Sequence, residues 1–158
     1  MNAVVEETRQ LMLALLEATR RETRSALSGI DPERVAHHDQ VGWRVRDVLG
    51  HIGVWNGEAA QSLRAHAGGG EYHCIESEAL YDDYNGRAAG VRRAWSMEQV
   101  WAEYEASADQ LKALVESMPV EGWQRAILYP WNEKGTVRGL VEIMMRHEVE
   151  HRETVLAG

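Results

Sequence analysis

The stretch His147-Glu148-Val149-Glu150-His151 places two histidines four residues apart, with a glutamate directly after the first. As a string it is H-E-x-x-H, the zinc signature of many metalloproteases, in which the histidines bind metal and the glutamate acts as base. On a helix, side chains at i and i+4 leave from one face, so two imidazoles are offered to a single cation. Zinc proteases complete the site with a third ligand further along the chain, and they need strands to hold a peptide. Here only Arg-Glu-Thr-Val-Leu-Ala-Gly follows His151, and no convincing strand pattern exists. The protease reading fails, and a third ligand has to come from upstream.

Five histidines lie upstream. His37 and His38 fall in a polar loop, and His73 stands beside Cys74 in an irregular connection; all three read as surface residues. His66 comes near the end of a helix, where a cation suits the dipole. His51 differs, because it sits in the middle of a helical pattern, on the flank of its apolar stripe and one turn before Trp55. Alone it would read as a hydrogen-bonded core residue. Facing an H-x-x-x-H pair it becomes the candidate third ligand, since three histidines from two helices leave metal positions open for water or substrate. Glu148 is the candidate general base, or the acceptor for an imidazole N–H. The competing reading makes it a partly buried carboxylate paired with Arg152 or Arg92.

These residues need helices to hold them, and the apolar spacing supplies four. Residues 3–27 repeat every three or four positions through Val4, Thr8, Leu11, Leu15, Ala18 and Glu22, with Val5, Met12, Leu16 and Thr19 widening the stripe. A second helix is predicted over 45–66, with Val48, Ile52, Trp55, Ala59 and Leu63 on one face and Gly68-Gly69-Gly70 ending it. Gly50, Gly53 and Gly57 each weaken that helix by up to about 1 kcal/mol relative to alanine, or permit close approach of another helix. Residues 71–95 form a crossover with a short helix around 78–93. Ser96 and Gln99 make a capping box that opens a third long helix, ending at Pro119. Residues 120–135 read as loop, and Thr136 caps a last helix over 137–156. Each long helix would span about 30 Å. The expected fold is all-α, one domain over 1–158: a four-helix bundle with a long crossover connection carrying a short extra helix.

Composition narrows the partners. A formal net charge of -8 without a basic run argues against nucleic acid and anionic membranes. No apolar run reaches the roughly 20 residues of a membrane span. A single cysteine, Cys74, precludes an intrachain disulfide, and the acidic, amphipathic N-terminus lacks a signal-peptide pattern, so the expected location is cytoplasmic. Six tryptophans in so short a chain, among them Trp95, Trp101, Trp123 and Trp131, exceed what one small core needs and point to an interface.

The segments "GWRVRDVLGHIGVWNGEAAQSL" and "GTVRGLVEIMMRHEVEHRETV" together resemble the DinB-like superfamily, which includes mycothiol-dependent maleylpyruvate isomerases, bacillithiol transferases and DfsB-type proteins. The likeness covers nearly the whole chain. It consists of Trp43-x-Val45-Arg46-Asp47, then His51 in the second helix, then His147-x-x-x-His151 in the last. "YDDYNGRAAGVRRAWSMEQV" is similar to the asparagine-containing crossover of the isomerase branch. Arg44 departs from the pattern, standing where many relatives place a Ser or Thr helix cap. The resemblance implies a bundle, commonly a homodimer, with a divalent metal (Zn, Ni, Fe or Mn) on His51, His147 and His151, and a low-molecular-weight thiol as cosubstrate. Trp55 and Glu58, one and two turns beyond His51, and Asn85 in the crossover are candidates for the pocket wall that holds such a cosubstrate. Tyr84, Tyr129 and Trp131 are candidates to close over it, although aromatic residues in a bundle also serve simply as core. The expected function is thiol-dependent transfer or isomerisation, or metal-dependent hydrolysis, of a small electrophile. The alternatives are a non-catalytic bundle that sequesters a small molecule or metal, and a structural bundle whose histidines bind nothing.

Overall fold

The computed structural model describes residues 2–36 and 42–157. Four long helices form the bundle: α1 (Ala3–Leu27), α2 (Val45–Ala67), α4 (Met97–Ser117) and α6 (Val137–Ala157). The shorter α3 (Tyr81–Arg92) lies in the crossover after α2, preceded by a 3-10 turn at Glu78–Leu80, and α5 (Val120–Gln124) follows α4. The chief contacts run α1–α6, α6–α2, α2–α4 and α4–α1. Consecutive α1 and α2 therefore sit across a diagonal, and so do α4 and α6. That arrangement puts α2 beside α6, where their histidines can meet.

Helix starts follow the local chemistry. Asn2 Oδ1 accepts from the backbone N–H groups of Val4 and Val5, and Ser96 and Gln99 make both halves of a capping box. Arg44 offers no acceptor, yet α2 still begins at Val45. Asp47 accepts the Arg44 backbone N–H at 2.9 Å, and Val35 bridges Arg44 across the preceding loop.

Two expectations need correction. Residues 120–135 are not plain loop: they hold α5 and a small antiparallel hairpin, β1 (Ile127–Leu128) with β2 (Lys134–Gly135). Two-residue strands are too short to show a period of two. On α1 the core takes Val5, Met12, Thr23 and Leu27, whereas Val4, Leu11 and Leu15 are exposed by 71%, 44% and 41%. The helix carries two adjacent apolar stripes, and spacing alone does not say which one meets the neighbours.

Apolar stripes on α4 and α6 also enter the core. Val100, Tyr104, Leu111 and Val115 are buried from α4, and Val137, Leu140, Val141, Met144 and Val155 from α6. Gly53 explains how α2 and α4 come so close. A Cβ there would lie 3.3 Å from Tyr104 Cα and 3.4 Å from its backbone nitrogen.

Candidate metal centre

His51 comes from the middle of α2, and His147 and His151 come from successive turns of α6. The Nε2 atoms of His147 and His51 lie 3.0 Å apart, and those of His51 and His151 lie 3.2 Å apart. The ligand atoms of all three fall within 4.8 Å of one another. Metal–imidazole bonds of about 2.05 Å at a tetrahedral angle put donor atoms about 3.3 Å apart, so the spacing suits a shared cation. Hydrogen bonding among the rings explains it less well. Each ring nitrogen directs one proton or one lone pair along one in-plane axis, but His51 Nε2 meets two other Nε2 atoms. His51 is buried and the other two are half-buried. Trp43, itself buried, sets its ring edge-on to His51 with centroids 5.3 Å apart. The donor set fits a divalent metal.

Glu148 points elsewhere. It is 5% exposed, and its Oε2 accepts from the Thr23 hydroxyl at 2.6 Å and the Tyr104 hydroxyl at 2.7 Å. Its Oε1 accepts from Asn56 Nδ2 at 3.2 Å. Burial, then the nearby Glu148 charge, pushes the Tyr104 phenol well above its ordinary range, so it stays protonated and donates. Arg152 reaches this group through Thr23, donating to its Oγ1 at 3.0 Å. Arg92 is engaged by Glu103 at 2.7 and 2.6 Å. The carboxylate thus ties α6 to α1, α2 and α4 one residue away from His147.

The remaining sequence candidates separate into two groups. Trp55 is fully buried, stacks on Tyr81 with centroids 4.6 Å apart, and donates its Nε1–H to Asn85 Oδ1 at 2.7 Å. Asn85 lines the same cavity as His51. Glu58 faces a different wall, accepting from the Tyr72 hydroxyl at 2.8 Å. Tyr84 and Trp131 pack around Trp55, and Tyr129 packs on Trp131. Burial and the Glu58 carboxylate push the Cys74 thiol far above its ordinary range, so Cys74 stays protonated at neutral pH.

Of the other histidines, His73 contacts Glu76 at 3.2 Å. His66 lies in the last turn of α2 and is buried, with Nε2 2.8 Å from the Gly122 carbonyl oxygen. His37 and His38 lie outside the described residues. Sequence reasoning missed Trp43 as the ring against His51, and Thr23, Asn56 and Tyr104 as partners of Glu148. Thr23 carried a usable signal, because it continues the buried phase of Met12 as a polar residue.

A family model described as the DinB superfamily matches residues 15–155. The chain belongs to the DinB superfamily. Solved structures share this DinB-like fold at low identity. The structure of a mycothiol-dependent maleylpyruvate isomerase aligns with a TM-score of 0.76 at 13% identity, covering 93% of this chain and 60% of that one. The chain thus spans about three-fifths of that isomerase's length. An uncharacterised protein from Escherichia coli UTI89 aligns with a TM-score of 0.78 at 16% identity, covering 94% and 91% of the two chains. Another, from Clostridium difficile 630, aligns with a TM-score of 0.75 at 9% identity and 94% coverage of both. No curated protein matches the chain in sequence.

Proposed function

We propose that this DinB-like chain is a metal-dependent enzyme that uses a low-molecular-weight thiol to transfer to, or isomerise, a small electrophilic molecule. The observation that carries the reading is the convergence of three Nε2 atoms from two helices, with separations of 3.0 and 3.2 Å. A divalent metal on three imidazoles keeps open positions and lowers the pKa of a bound thiol or water. The thiol reading rather than the hydrolytic one draws support from the mycothiol-dependent isomerase, whose fold this chain shares. Cys74 is not that thiol, because its proton is held by burial and by Glu58.

The protein's own residues have distinct tasks. His51, His147 and His151 hold the metal as neutral imidazoles. Trp43 limits water at His51. Glu148 acts as a positioning residue, holding the α6 backbone so that both of its histidines face α2. Trp55 and Asn85 shape the adjoining wall.

Elemental analysis of protein purified without a histidine tag, followed by assays of thiol-dependent conversion of model electrophiles, tests the reading. About one equivalent of metal is expected, with thiol-dependent conversion that stops on chelation; thiol is consumed in transfer and regenerated in isomerisation. Stoichiometric metal without turnover would make the chain a sequestering protein. Absence of metal from protein refolded or grown with zinc, nickel, iron and manganese would overturn the site.

A further inference from the structure

Asn85, on α3, is 7% exposed. Its Oδ1 accepts from Trp55 Nε1 at 2.7 Å. An indole nitrogen only donates, so the amide oxygen must face Trp55 and the NH2 group must face away from it. Among the described residues nothing accepts from that NH2 group. The NH2 group is thus open to an oxygen from outside the chain. Asn85 lines a cavity of about 10 Å³ together with His51 and Arg46, room for one oxygen-sized group.

That cavity adjoins a wider cleft, with which it shares Arg46 and Asp47; the cleft adds Arg44, Arg93 and Glu33. Both of its carboxylates are engaged. Glu33 accepts from Arg44 at 2.9 Å and Arg46 at 3.1 Å, and Arg46 and then Arg44 hold it below the usual carboxylate range. Asp47 accepts the Arg44 backbone N–H. Arg93 is exposed, and among the described residues the cleft's ion pairs are those of Arg44 and Arg46 with Glu33. Among the described residues the cleft sets three guanidinium groups against two occupied carboxylates, on a chain of net charge -8. Local positive potential of this kind concentrates anions.

We propose that the small molecule taken by the histidine site carries an oxyanion, a carboxylate or a phosphate, with one oxygen bonded to the Asn85 NH2 group and the charge facing Arg93. This rests on the reading of His51 as part of a binding site, but the anion contacts themselves require no metal.

The test uses the full chain, zinc-loaded and after chelation, followed by nitrogen-edited NMR at constant ionic strength. Inorganic phosphate, acetate and uncharged acetamide are titrated separately. The Asn85 side-chain NH2 and Arg93 Nε–H resonances are expected to shift saturably with phosphate or acetate and not with acetamide. Whichever anion binds more tightly names the source of the group. Asn85→Asp keeps the acceptor for Trp55 and removes the two donors, so it should abolish the shift at Arg93. Arg93→Ala changes only an exposed side chain and should weaken binding by about three- to tenfold. Arg87→Ala, which removes an exposed partner of Asp83, should change nothing. Equal responses to acetate and acetamide, or wild-type binding by Arg93→Ala, would overturn the proposal. Metal affinity measured on the same samples separates the two readings. Anion binding without metal binding sinks the metal site alone, and metal binding without anion binding sinks this inference alone.

Discussion

At the scale of single residues, the histidine triangle and the Glu148 group make opposite demands on substitution. His51 lies nearly a hundred residues before its partners, yet His51→Ala should cut metal affinity at least tenfold, while His73→Ala, at a ring beside Glu76, should leave it unchanged. Metal titration with a competing chelator reads both. If His51→Ala keeps full affinity while His73→Ala or Cys74→Ala loses it, the metal is bound elsewhere. Glu148→Gln keeps shape but replaces a buried carboxylate that accepts three hydrogen bonds. It should destabilise the fold by about 1–3 kcal/mol, roughly 3–9 °C in Tm for a chain of this size, with metal still bound. A variant of unchanged Tm that loses all turnover would instead make Glu148 the general base.

At the scale of elements, the α2–α4 contact and the α1–α4 ion pairs decide how the bundle closes. Gly57 has open space around a would-be Cβ, whereas Gly53 has the Tyr104 backbone at 3.3 Å. Gly57→Ala should therefore gain up to about 1 kcal/mol of helix propensity, while Gly53→Ala gains none or loses stability. Denaturant melts compare the pair directly, and equal gains would mean that α2 and α4 are further apart than described. Glu105 joins α4 to Arg20 and Arg24 on α1, and its carboxyl is lowered first by the Arg24 hydrogen bond. A lowered folded-state pKa stabilises above the unfolded value near 4.3, and that contribution is lost as pH falls through the folded value. Glu105→Gln should thus cost about 1 kcal/mol or less at pH 7, and the difference should shrink as pH falls towards 2. An undiminished difference at pH 2 would assign its effect to packing.

At the scale of the whole molecule, we expect a homodimer, with a changed basis. Trp123 and Trp131 are buried within their own chain and Trp95 and Trp101 are half-buried, so the tryptophans supply little free surface. Val35, Leu80, Val91 and Leu156 are exposed on separate elements, whereas Val4, Leu11 and Leu15 face solvent on one helix, α1. Sedimentation at micromolar concentration should show twice the 17.8 kDa chain mass, and Leu11→Glu with Leu15→Glu should return it to one. A wild-type monomer would remove the expectation. Nucleic acid should bind negligibly at physiological salt, given the net charge of -8, and a salt-sensitive DNA complex in a mobility shift would contradict that. Among the described residues no helix is long and apolar enough to cross a membrane.

Much of this is legible in the sequence. The number and extent of the four long helices follow from apolar period and capping residues such as Ser96, because both are local and backbone hydrogen bonding is satisfied within each helix; the five-residue α5 is too short to show that period. The H-x-x-x-H pair follows from helical geometry alone. Its meeting with His51 is implied by helical phase and resemblance, and only the packing of α2 beside α6 brings the three Nε2 atoms within reach. Tertiary structure alone decided which of two apolar stripes α1 buries, since each satisfies the same periodicity. It also decided where Glu148 points. One residue along a helix turns a side chain by about 100°, and that rotation takes Glu148 from its neighbour His147 to the hydroxyls of Thr23 and Tyr104. Those partners come from distant segments, and no local rule in the sequence joins them.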